Sequence, residues 1–406
     1  MKYLSLFLCL LVGWTSTSCA VGLEDCVQLG FTKNPSVLAQ KESLESAALQ
    51  VKLAQADYGP SLGLGGSVSQ GFSPNTNTSY DAGLSLSQKL LPMVVSQPEV
   101  KQAQALLAAQ RATYLGLLAQ LRYDITAAYF DVVFAQKTLV LTQKIATRRK
   151  TNAELVQSRY EAGREHKGSY LRVKAQADQA ALDVIQAKRA IQVATLSLWR
   201  TIGATAEGPL SDSLPTPVLP PLSRLPELAE KTPDVLAAQA KLDAAVQGID
   251  VAQNRYGLMV SGSLGLDQSG GFSSGSSTSA SGKLSASFPL YTSGKKEADI
   301  ETSIRAQTQA DQVLNQTRLT LKNSLETSFL NAQNAQENAA LQTQFVGAAQ
   351  TRSEIAQAQY SSGLLSYDNW DLIENDLIAQ QKNALNTAKQ ALLSVAKFDQ
   401  LCGKGL

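Results

Sequence analysis

An internal duplication constrains the fold of this chain more than any other feature. Residues 33–59 align without a gap on residues 231–257, and eleven of the 27 aligned positions are identical. A repeat on this scale predicts one structural unit that is built twice in succession. We place the first repeat at 21–203 and the second at 226–406, and the proline-rich segment 204–225 is the predicted linker between them.

Each repeat contains one very long stretch with helical character, at about 97–161 and about 295–361. A helix of about 65 residues would be about 100 Å long, which no compact domain can contain. The apolar residues are mostly Ala and Leu at three- and four-residue spacing, which favours close packing along a long helical seam. Four shorter helices are predicted at about 24–56, 169–202, 227–254 and 368–400.

Two Ser- and Gly-rich stretches precede each long helix, and their apolar residues alternate with period two. In the first stretch Leu62, Leu64 and Val68 alternate with Ser and Gly. Strands with one apolar and one small polar face are typical of outer-membrane barrels. Four strands cannot close a barrel in a membrane, so either they do not span it or several chains share one barrel. The predicted strands are about 60–72, 79–90, 257–268 and 279–290.

The composition argues against several other classes of protein. The net charge of +2 gives no reason to expect nucleic acid as a partner. His166 is the single histidine, which makes a His-ligated metal site or a Ser-His-Asp triad hard to build. The segment 271–275 matches G-x-S-x-G, but it lies in a Gly- and Ser-rich loop, downstream of His166. We therefore predict no enzyme, and no catalytic, cofactor-binding or metal-binding residues.

The first 20 residues have the pattern of a secretory signal peptide, with a short positive start, an apolar stretch and small residues before position 21. Cys19 also raises the alternative of a lipoprotein, which we disfavour because the preceding residues do not match a lipobox. Cys26 and Cys402 are the two cysteines of the mature chain. Export to an oxidising compartment allows a disulfide between them, and the other interpretation is two small buried apolar side chains.

Several segments resemble the TolC-like outer-membrane efflux protein family, and together they extend over nearly the whole mature chain. They correspond to the opening helix, the helix-to-strand entry, the strand-to-helix exit and two helical-hairpin turns of that family. The segments are Gly22 to Ser36, Ala56 to Leu62, Ser285 to Gly294, Tyr160-x-x-Gly163 and Tyr360-x-x-Gly363 followed by Leu364 to Tyr367.

The resemblance implies a mainly α fold with a small β part, in which the duplicated helical-hairpin unit forms a trimeric α-barrel tunnel. Each of the three chains would give four strands to a shared 12-stranded transmembrane β-barrel. It also implies a passive exit duct in the Gram-negative outer membrane, with a large periplasmic part in contact with membrane lipid at one end. Its expected partners are two further copies, a periplasmic adaptor protein and an inner-membrane pump of the RND, ABC or MFS type. The alternative is a periplasmic coiled-coil scaffold or adhesin without a pore.

The resemblance places the mechanistic sites at the two hairpin turns, which form the periplasmic tip in that family. Here the first turn is largely basic and the second is acidic, so we predict that ion pairs and tyrosine hydrogen bonds between the turns hold a closed state. On this hypothesis, replacing Arg164 and Lys167 by Ala should raise the conductance of the pore. A solvated charged turn is the alternative. The gate candidates are Arg164, Glu165, Lys167, Arg172, Tyr360, Tyr367, Asp368, Asp371 and Glu374.

Adaptor docking is expected at the same end of the molecule, by resemblance alone. The candidate residues lie in the turns themselves: Tyr160, Gly163, Tyr360 and Gly363. The loops at 73–79 and 269–279 join the predicted strands at the opposite end and are expected to face the outside of the cell.

Overall fold

The computed structural model describes residues 21–71, 78–91, 97–205, 219–272 and 275–404. Within these residues the chain forms eight α-helices and four β-strands. They are α1 (Leu23–Lys33), α2 (Pro35–Ala56), β1 (Ser61–Gln70), β2 (Thr78–Leu91), α3 (Pro98–Glu161), α4 (Lys167–Ile202), α5 (Leu225–Glu230), α6 (Pro233–Arg255), β3 (Met259–Gly271), β4 (Ser276–Ser287), α7 (Lys295–Ser362) and α8 (Tyr367–Leu401). The signal peptide, with Cys19, most of the predicted linker and the tips of both predicted external loops lie outside the described residues.

The order of two helices, two strands and two helices occurs twice, and the prediction of a mainly α fold with a small β part is confirmed. The expected first helix of each repeat is in fact two helices. The first pair is separated at Asn34, whose backbone is extended (φ −65°, ψ 126°) before Pro35. The second pair is separated at Thr232, which precedes Pro233. Proline lacks an N–H group and forces the residue before it out of the helical region, so both breaks have the same cause.

The chain divides into two compact units, and the two long helices belong partly to each. The described parts of the first unit are 21–34, 121–205 and 334–396. The described parts of the second unit are 35–120, 219–333 and 397–404, without the gaps given above.

In the first unit, α1 packs against α3 and α4 through side chains that are almost completely buried. Cys26 and Val27 on α1 and Ile125 on α3 have no exposed surface. Gly30 lies so close to Ile125 that a Cβ atom at position 30 would collide with the isoleucine. The Asn34 amide donates a hydrogen bond to the Thr201 carbonyl at 2.8 Å, which holds the end of α1 against α4. A second apolar cluster of this unit lies near the hairpin turns and is described with the site.

The second unit contains a helical core and a four-stranded antiparallel sheet with the order β1-β2-β3-β4. The helical core is formed by Leu225, Val235, Ala238, Leu314, Leu321, Leu325, Phe398 and Cys402. In the sheet, Leu64 pairs with Leu84 and Leu84 with Leu266, so leucines of adjacent strands share one face. Strands β1 and β4 are the edges of this sheet.

The leucine-rich face of the sheet is exposed, although its side chains are apolar. Leu64 is 83% exposed, Leu284 is 73% exposed and Leu264 is 61% exposed. A continuous apolar surface of this kind marks a binding or membrane-contact face. Tyr80 and Phe272 make an edge-to-face contact at the loop end of this face, where a membrane barrel carries an aromatic girdle. Within the described residues these leucines are therefore not buried against a protein core, as they would be if the hairpins packed on a soluble domain.

In both repeats, the same kind of hydrogen bond joins the end of the short helix before the strand pair to the start of the long helix after it. The Tyr58 hydroxyl, after α2, donates a hydrogen bond to Glu99 in the first turn of α3. The Tyr256 hydroxyl, after α6, donates one to Asp299 near the start of α7. Burial and the neighbouring carboxylate raise the pKa of Tyr58, so the phenol stays protonated and keeps its donor. The ends of each strand pair are thereby tied together at the helical side.

Both mature cysteines are free thiols in the structure, which corresponds to the second of the two interpretations given above. Cys26 is buried in the first unit, and burial followed by the nearby Asp25 raises the pKa of its thiol to about 11. Cys402 belongs to the helical core of the second unit, and burial raises the pKa of its thiol to about 11 as well. Both therefore stay protonated and unreactive at neutral pH.

Among the described residues, no helix is both apolar and long enough to cross a bilayer. The same residues contain no group of three or more His, Cys, Asp or Glu side chains arranged to hold a metal ion.

Candidate functional site

The two hairpin turns of the first unit have the same backbone conformation. Gly163 and Gly363 both have a positive φ, of 71° and 81°, which favours glycine over all other residues. In the first turn the Arg164 N–H donates to the Arg159 carbonyl at 2.8 Å, and in the second the Leu364 N–H donates to the Gln359 carbonyl at 2.8 Å. These bonds close the end of each long helix in the manner of a Schellman motif.

A stacked aromatic pair follows the same plan in both hairpins. Tyr160 stacks on Tyr170 with 5.4 Å between ring centroids, and Tyr360 stacks on Trp370 with 4.4 Å between centroids. The second pair is the more buried, since Tyr360 and Trp370 are each 1% exposed. Together with Val156, Val173, Ala356 and Tyr367 it forms the apolar cluster that holds the two hairpins together.

Around Tyr360, polar groups of the first hairpin contact the second. The Tyr360 hydroxyl donates a hydrogen bond to the Glu165 carboxylate at 2.9 Å. The Arg159 guanidinium lies 4.7 Å from the centre of the Tyr360 ring and donates to the Tyr360 carbonyl at 2.7 Å. The second turn is therefore held by a cation over its aromatic ring and by an acceptor for its hydroxyl.

Asp371 is a buried carboxylate of α8 that is surrounded by donors from the first hairpin. Arg149 on α3 approaches it at 3.3 Å, and Arg172 on α4 approaches it at 2.9 Å. The Gln176 amide donates to both of its oxygens, at 3.1 and 3.2 Å. Arg149 also donates to the Asn375 side chain at 2.5 Å. A carboxylate taken out of water needs this degree of compensation from cations and hydrogen-bond donors.

Glu374, one helical turn further along α8, has a second set of donors. Arg148 donates to both of its oxygens, at 2.6 and 2.8 Å, in a bidentate ion pair. The Asn152 amide donates to it at 3.3 Å, and the Ser353 hydroxyl also donates to it. Glu374 is 1% exposed, whereas about a quarter of the Arg148 side chain reaches solvent. The bidentate geometry and the added donors compensate the burial of this carboxylate.

The same contacts shift the pKa values of titratable groups in the tip, which is the part of the first unit formed by the two hairpin turns and the side chains around Tyr360, Asp371 and Glu374. Partial burial alone would raise the pKa of Glu165, but hydrogen bonds from the His166 N–H and the Tyr360 hydroxyl outweigh it, and the pKa is lowered. Burial and the hydrogen bond to Glu165 raise the pKa of Tyr360. Burial and the nearby Asp371 raise the pKa of Tyr367 to about 12. At neutral pH this part of the tip therefore consists of neutral phenols beside an ionised carboxylate.

Some of the predicted gate residues contact the opposite hairpin in the structure, and others are exposed to solvent without an ion pair to any described residue. Glu165 contacts Tyr360, and Arg172 contacts Asp371 and, at 3.9 Å, the exposed Asp368. Asp371 and Glu374 are buried in ion pairs. Arg164 and Lys167 are exposed and form no ion pair within the described residues. The donors that sequence reasoning missed are Arg148, Arg149, Asn152, Arg159, Gln176 and Ser353.

A signal for the missed residues was present in their distance from the turns. Arg148 precedes Gly163 by 15 residues, or about 22 Å of helix, and its partner Glu374 follows Gly363 by 11 residues, or about 17 Å. Charged side chains at similar heights above two adjacent turns are candidates for pairing. Only the rotational setting of the helices, which the sequence does not give directly, decides which of them meet.

The chain thus contains a sheet with an exposed apolar face and two long helical hairpins that are linked to each other by buried ion pairs, and the exposed apolar face indicates a membrane-associated protein. The family model described as "Outer membrane efflux protein" matches residues 28–204 and 225–404. The chain therefore belongs to the outer membrane efflux protein family. It is an outer-membrane protein with a periplasmic part.

Known proteins agree with this assignment. "Protein CyaE" of Bordetella pertussis is 25% identical over 316 residues, which are 74% of this chain and 66% of that protein. "Outer membrane efflux protein BepC" of Brucella suis is 23% identical over 261 residues, 62% of this chain and 57% of that protein. The chain thus spans less than two thirds of each of these relatives. A crystal structure of CusC covers 99% of this chain and 96% of its own with a TM-score of 0.87 at 17% identity, which shows a shared fold.

Proposed function

We propose that three copies of this chain form a passive exit duct through the outer membrane, for tripartite efflux or type I secretion. The observation that carries this proposal is the exposed apolar face of a sheet whose two edges are free. In lipid, every backbone polar group must be paired, so an open sheet has to close with strands of other copies. The four strands alternate in direction, so β4 of one copy can pair antiparallel with β1 of the next.

The tip of the first unit is the proposed gate. Family membership supports placing it at the periplasmic end of the duct, where an adaptor protein and an inner-membrane pump would engage. The lock that we infer consists of Arg148 with Glu374, and of Arg149 and Arg172 with Asp371. Each pair joins the first hairpin to the second, so the pairs can separate while each hairpin keeps its own helices. Exposed Leu364, beside Gly363, supports docking of the adaptor at the turns.

Conductance in planar bilayers tests both parts of the proposal. The protein is extracted from outer membranes in detergent, its native mass is determined, and single channels are recorded for the natural chain and for Arg149→Ala. We expect a trimer with a small conductance that rises severalfold in the variant, because Asp371 loses its most buried cation. The double variant Arg149→Asp with Asp371→Arg restores the opposite charges and should return the conductance toward the natural value.

The matched control is Arg164→Ala with Lys167→Ala. These two cations lie in the same basic turn but pair with no carboxylate of the described chain, so their removal should leave the conductance unchanged. A rise in conductance equal to that of Arg149→Ala would show that the cations of the turn also hold the closed state. An extended soluble oligomer without conductance in any variant would overturn the duct and favour the scaffold alternative. A trimeric channel that Arg149→Ala does not alter would overturn only the lock.

A further inference from the structure

The four strands contain only four charged residues, and all of them lie on the polar face of the sheet. They are Asp81 and Lys89 on β2, Asp267 on β3 and Lys283 on β4. The register pairs Asp81 with Ser269, Lys89 with Ser261, Asp267 with Gly83 and Lys283 with Ser263, which are all positions on the face opposite the leucines.

The signs of these charges are separated along the strand direction. Asp81 and Asp267 occupy neighbouring levels near the loop end, because Asp81 pairs with Ser269, two residues from Asp267. Lys283 and Lys89 occupy neighbouring levels near the helical end, since their partners Ser263 and Ser261 are also two residues apart. The sheet therefore has an acidic layer and a basic layer.

The distance between the layers allows each to act independently. Asp267 and the partner of Lys283 are four residues apart on β3, which is about 13 Å along the strand. Asp81 and Lys89 are eight residues apart on β2, or about 26 Å. Charges further apart than about 10 Å are largely screened from each other at 0.1 M salt. None of the four charges forms an ion pair with any described residue.

The surroundings of Asp267 show a close fit between its carboxylate and the sheet. One of its oxygens occupies the place that a Cβ atom of Gly83 would take, and the other lies 3.2 Å from where a Cβ atom of Gly265 would be. Glycine on both sides thus lets the carboxylate lie against the polar face. The height of the acidic layer is set by the register of Asp81 and Asp267, and the missing side chain at Gly83 leaves the room that the Asp267 carboxylate occupies.

We propose that the polar face of this sheet gives the outer-membrane segment of the duct an ion selectivity of its own, separate from the periplasmic tip. The inference rests on the trimeric duct proposed above, in which three copies would line the pore with six carboxylates near the loop end and six ammonium groups near the helical end. Rings of charged side chains favour counter-ions in a pore. The loop end selects cations and the helical end selects anions.

A pore with two layers of opposite charge rectifies current. Cations enter readily through the acidic layer and anions through the basic layer, so both accumulate between the layers when the loop side is positive. The conductance is larger at that polarity and smaller at the reverse polarity. The rectification should weaken between 0.1 M and 1 M KCl, because the Debye length falls from about 10 Å to about 3 Å.

Single-channel recording with a KCl gradient tests the inference in the full-length trimer. The variants are Asp81→Asn with Asp267→Asn, and Lys89→Gln with Lys283→Gln. The first should lower the ratio of K⁺ to Cl⁻ permeability by at least roughly twofold, and the second should raise it by a similar factor. Each should abolish most of the rectification. The matched control, Ser85→Asn with Ser281→Asn, adds neutral bulk at the level of Gly265, which lies on the same face between the two layers, and should preserve both properties.

The recordings are repeated with Arg149→Ala in each chain, so that a closed tip does not dominate the resistance. Conductance with the same selectivity and rectification in all variants would overturn the charge layers and leave the duct intact. A shift of both charge variants in the same direction would also overturn them, because it would indicate a change of pore shape. Absence of conductance in every chain would instead contradict the duct itself.

Discussion

The two hairpins of the tip share a backbone and differ in their charges. Both turn at a glycine with positive φ, and both stack an aromatic residue from the long helix on one from the return helix. The buried carboxylates, however, belong only to the second hairpin, and the arginines that pair with them belong only to the first. Positions 171 and 174, which correspond to Asp371 and Glu374 at the offset of 200, are Leu and Lys.

The junctions between helix and strand, unlike the two hairpins of the tip, have the same types of side chain in both repeats. There the tyrosine and the carboxylate occur in both repeats, as Tyr58 with Glu99 and Tyr256 with Asp299. The two repeats thus have a tyrosine and a carboxylate in common where each repeat closes its own strand pair. They have complementary side chains where one repeat binds the other. A contact between repeats can open without unfolding either one, which is what a gate requires.

Among the variants that test this comparison, we expect the one without the Glu374 carboxylate to lose the most stability in the second hairpin. Breaking a buried ion pair costs about 3–5 kcal/mol, and because Arg148 is partly exposed we expect about 2–3 kcal/mol for Glu374→Ala. Amide hydrogen exchange in the segment 353–375 should accelerate by roughly a hundredfold if local opening controls it.

Asp368→Asn is the matched control for this prediction. It removes a carboxylate from the same turn, but one whose side chain is 85% exposed and 3.9 Å from its partner Arg172. An exposed pair of this kind contributes about 0.5 kcal/mol or less. Equal acceleration of exchange in the two variants would show that the charge of the second hairpin matters as a whole, rather than through its buried pairs.

The aromatic pairs provide the next largest effect. Tyr360→Phe keeps the ring on Trp370 but removes the hydrogen bond to Glu165, and a bond to a charged group contributes about 1.5–3 kcal/mol. Because Glu165 is partly exposed and can bind water instead, we expect about 1–2 kcal/mol. The emission of Trp370, recorded in a Trp199→Phe background, reports on the packing of this cluster during denaturant unfolding.

Tyr160→Phe is the corresponding change in the first hairpin. The Tyr160 hydroxyl makes no hydrogen bond within the described residues, so the change should alter stability by less than about 0.5 kcal/mol. If both variants lost the same stability, the aromatic pairs would be equivalent and the asymmetry of the tip would lie in its ion pairs alone.

Much of this fold is predictable because its signals are local. The positive φ of Gly163 and Gly363 needs glycine, and the motif around each is visible in the sequence. The predicted ends of the strands are less accurate. Strand β3 continues to Gly271 because it pairs with Ser79, whereas Ser and Gly have little strand preference of their own that the sequence could show. The break at Asn34 was missed although Pro35 is a clear signal for it.

The pairing of Arg148 and Arg149 with α8 could not be predicted in this way. These residues lie in the middle of a long helix, and their partners are more than 220 positions away in the chain. Helical periodicity shows which residues share a face of one helix, but it does not fix how that helix is rotated against another. The sequence favours the turn cations Arg164 and Lys167 because the family resemblance places the mechanistic sites at the turns, whereas helix packing brings cations further along α3 to the buried carboxylates.

The smallest expected effect is a dependence of tip stability on acidic pH, centred on Glu165. Hydrogen bonds from His166 and Tyr360 lower its folded-state pKa below the usual 4.5. The ionised carboxylate therefore stabilises the tip above pH 4.5, and this stabilisation is lost as the pH falls from 4.5 through the lower folded-state value. A positive charge on His166 lowers the pKa of Glu165 in the same direction, so it does not by itself weaken the contact.

Trp370 emission as a function of pH, again in the Trp199→Phe background, measures this loss directly. Glu165→Gln should remove the part of the acid transition that belongs to this carboxylate, because glutamine accepts from Tyr360 without titrating. Tyr360→Phe should move the same part to higher pH, since it takes away a hydrogen bond that lowers the pKa of Glu165. If neither variant changed the transition, the acid sensitivity of the tip would belong to other carboxylates, and the hydroxyl of Tyr360 would serve packing alone.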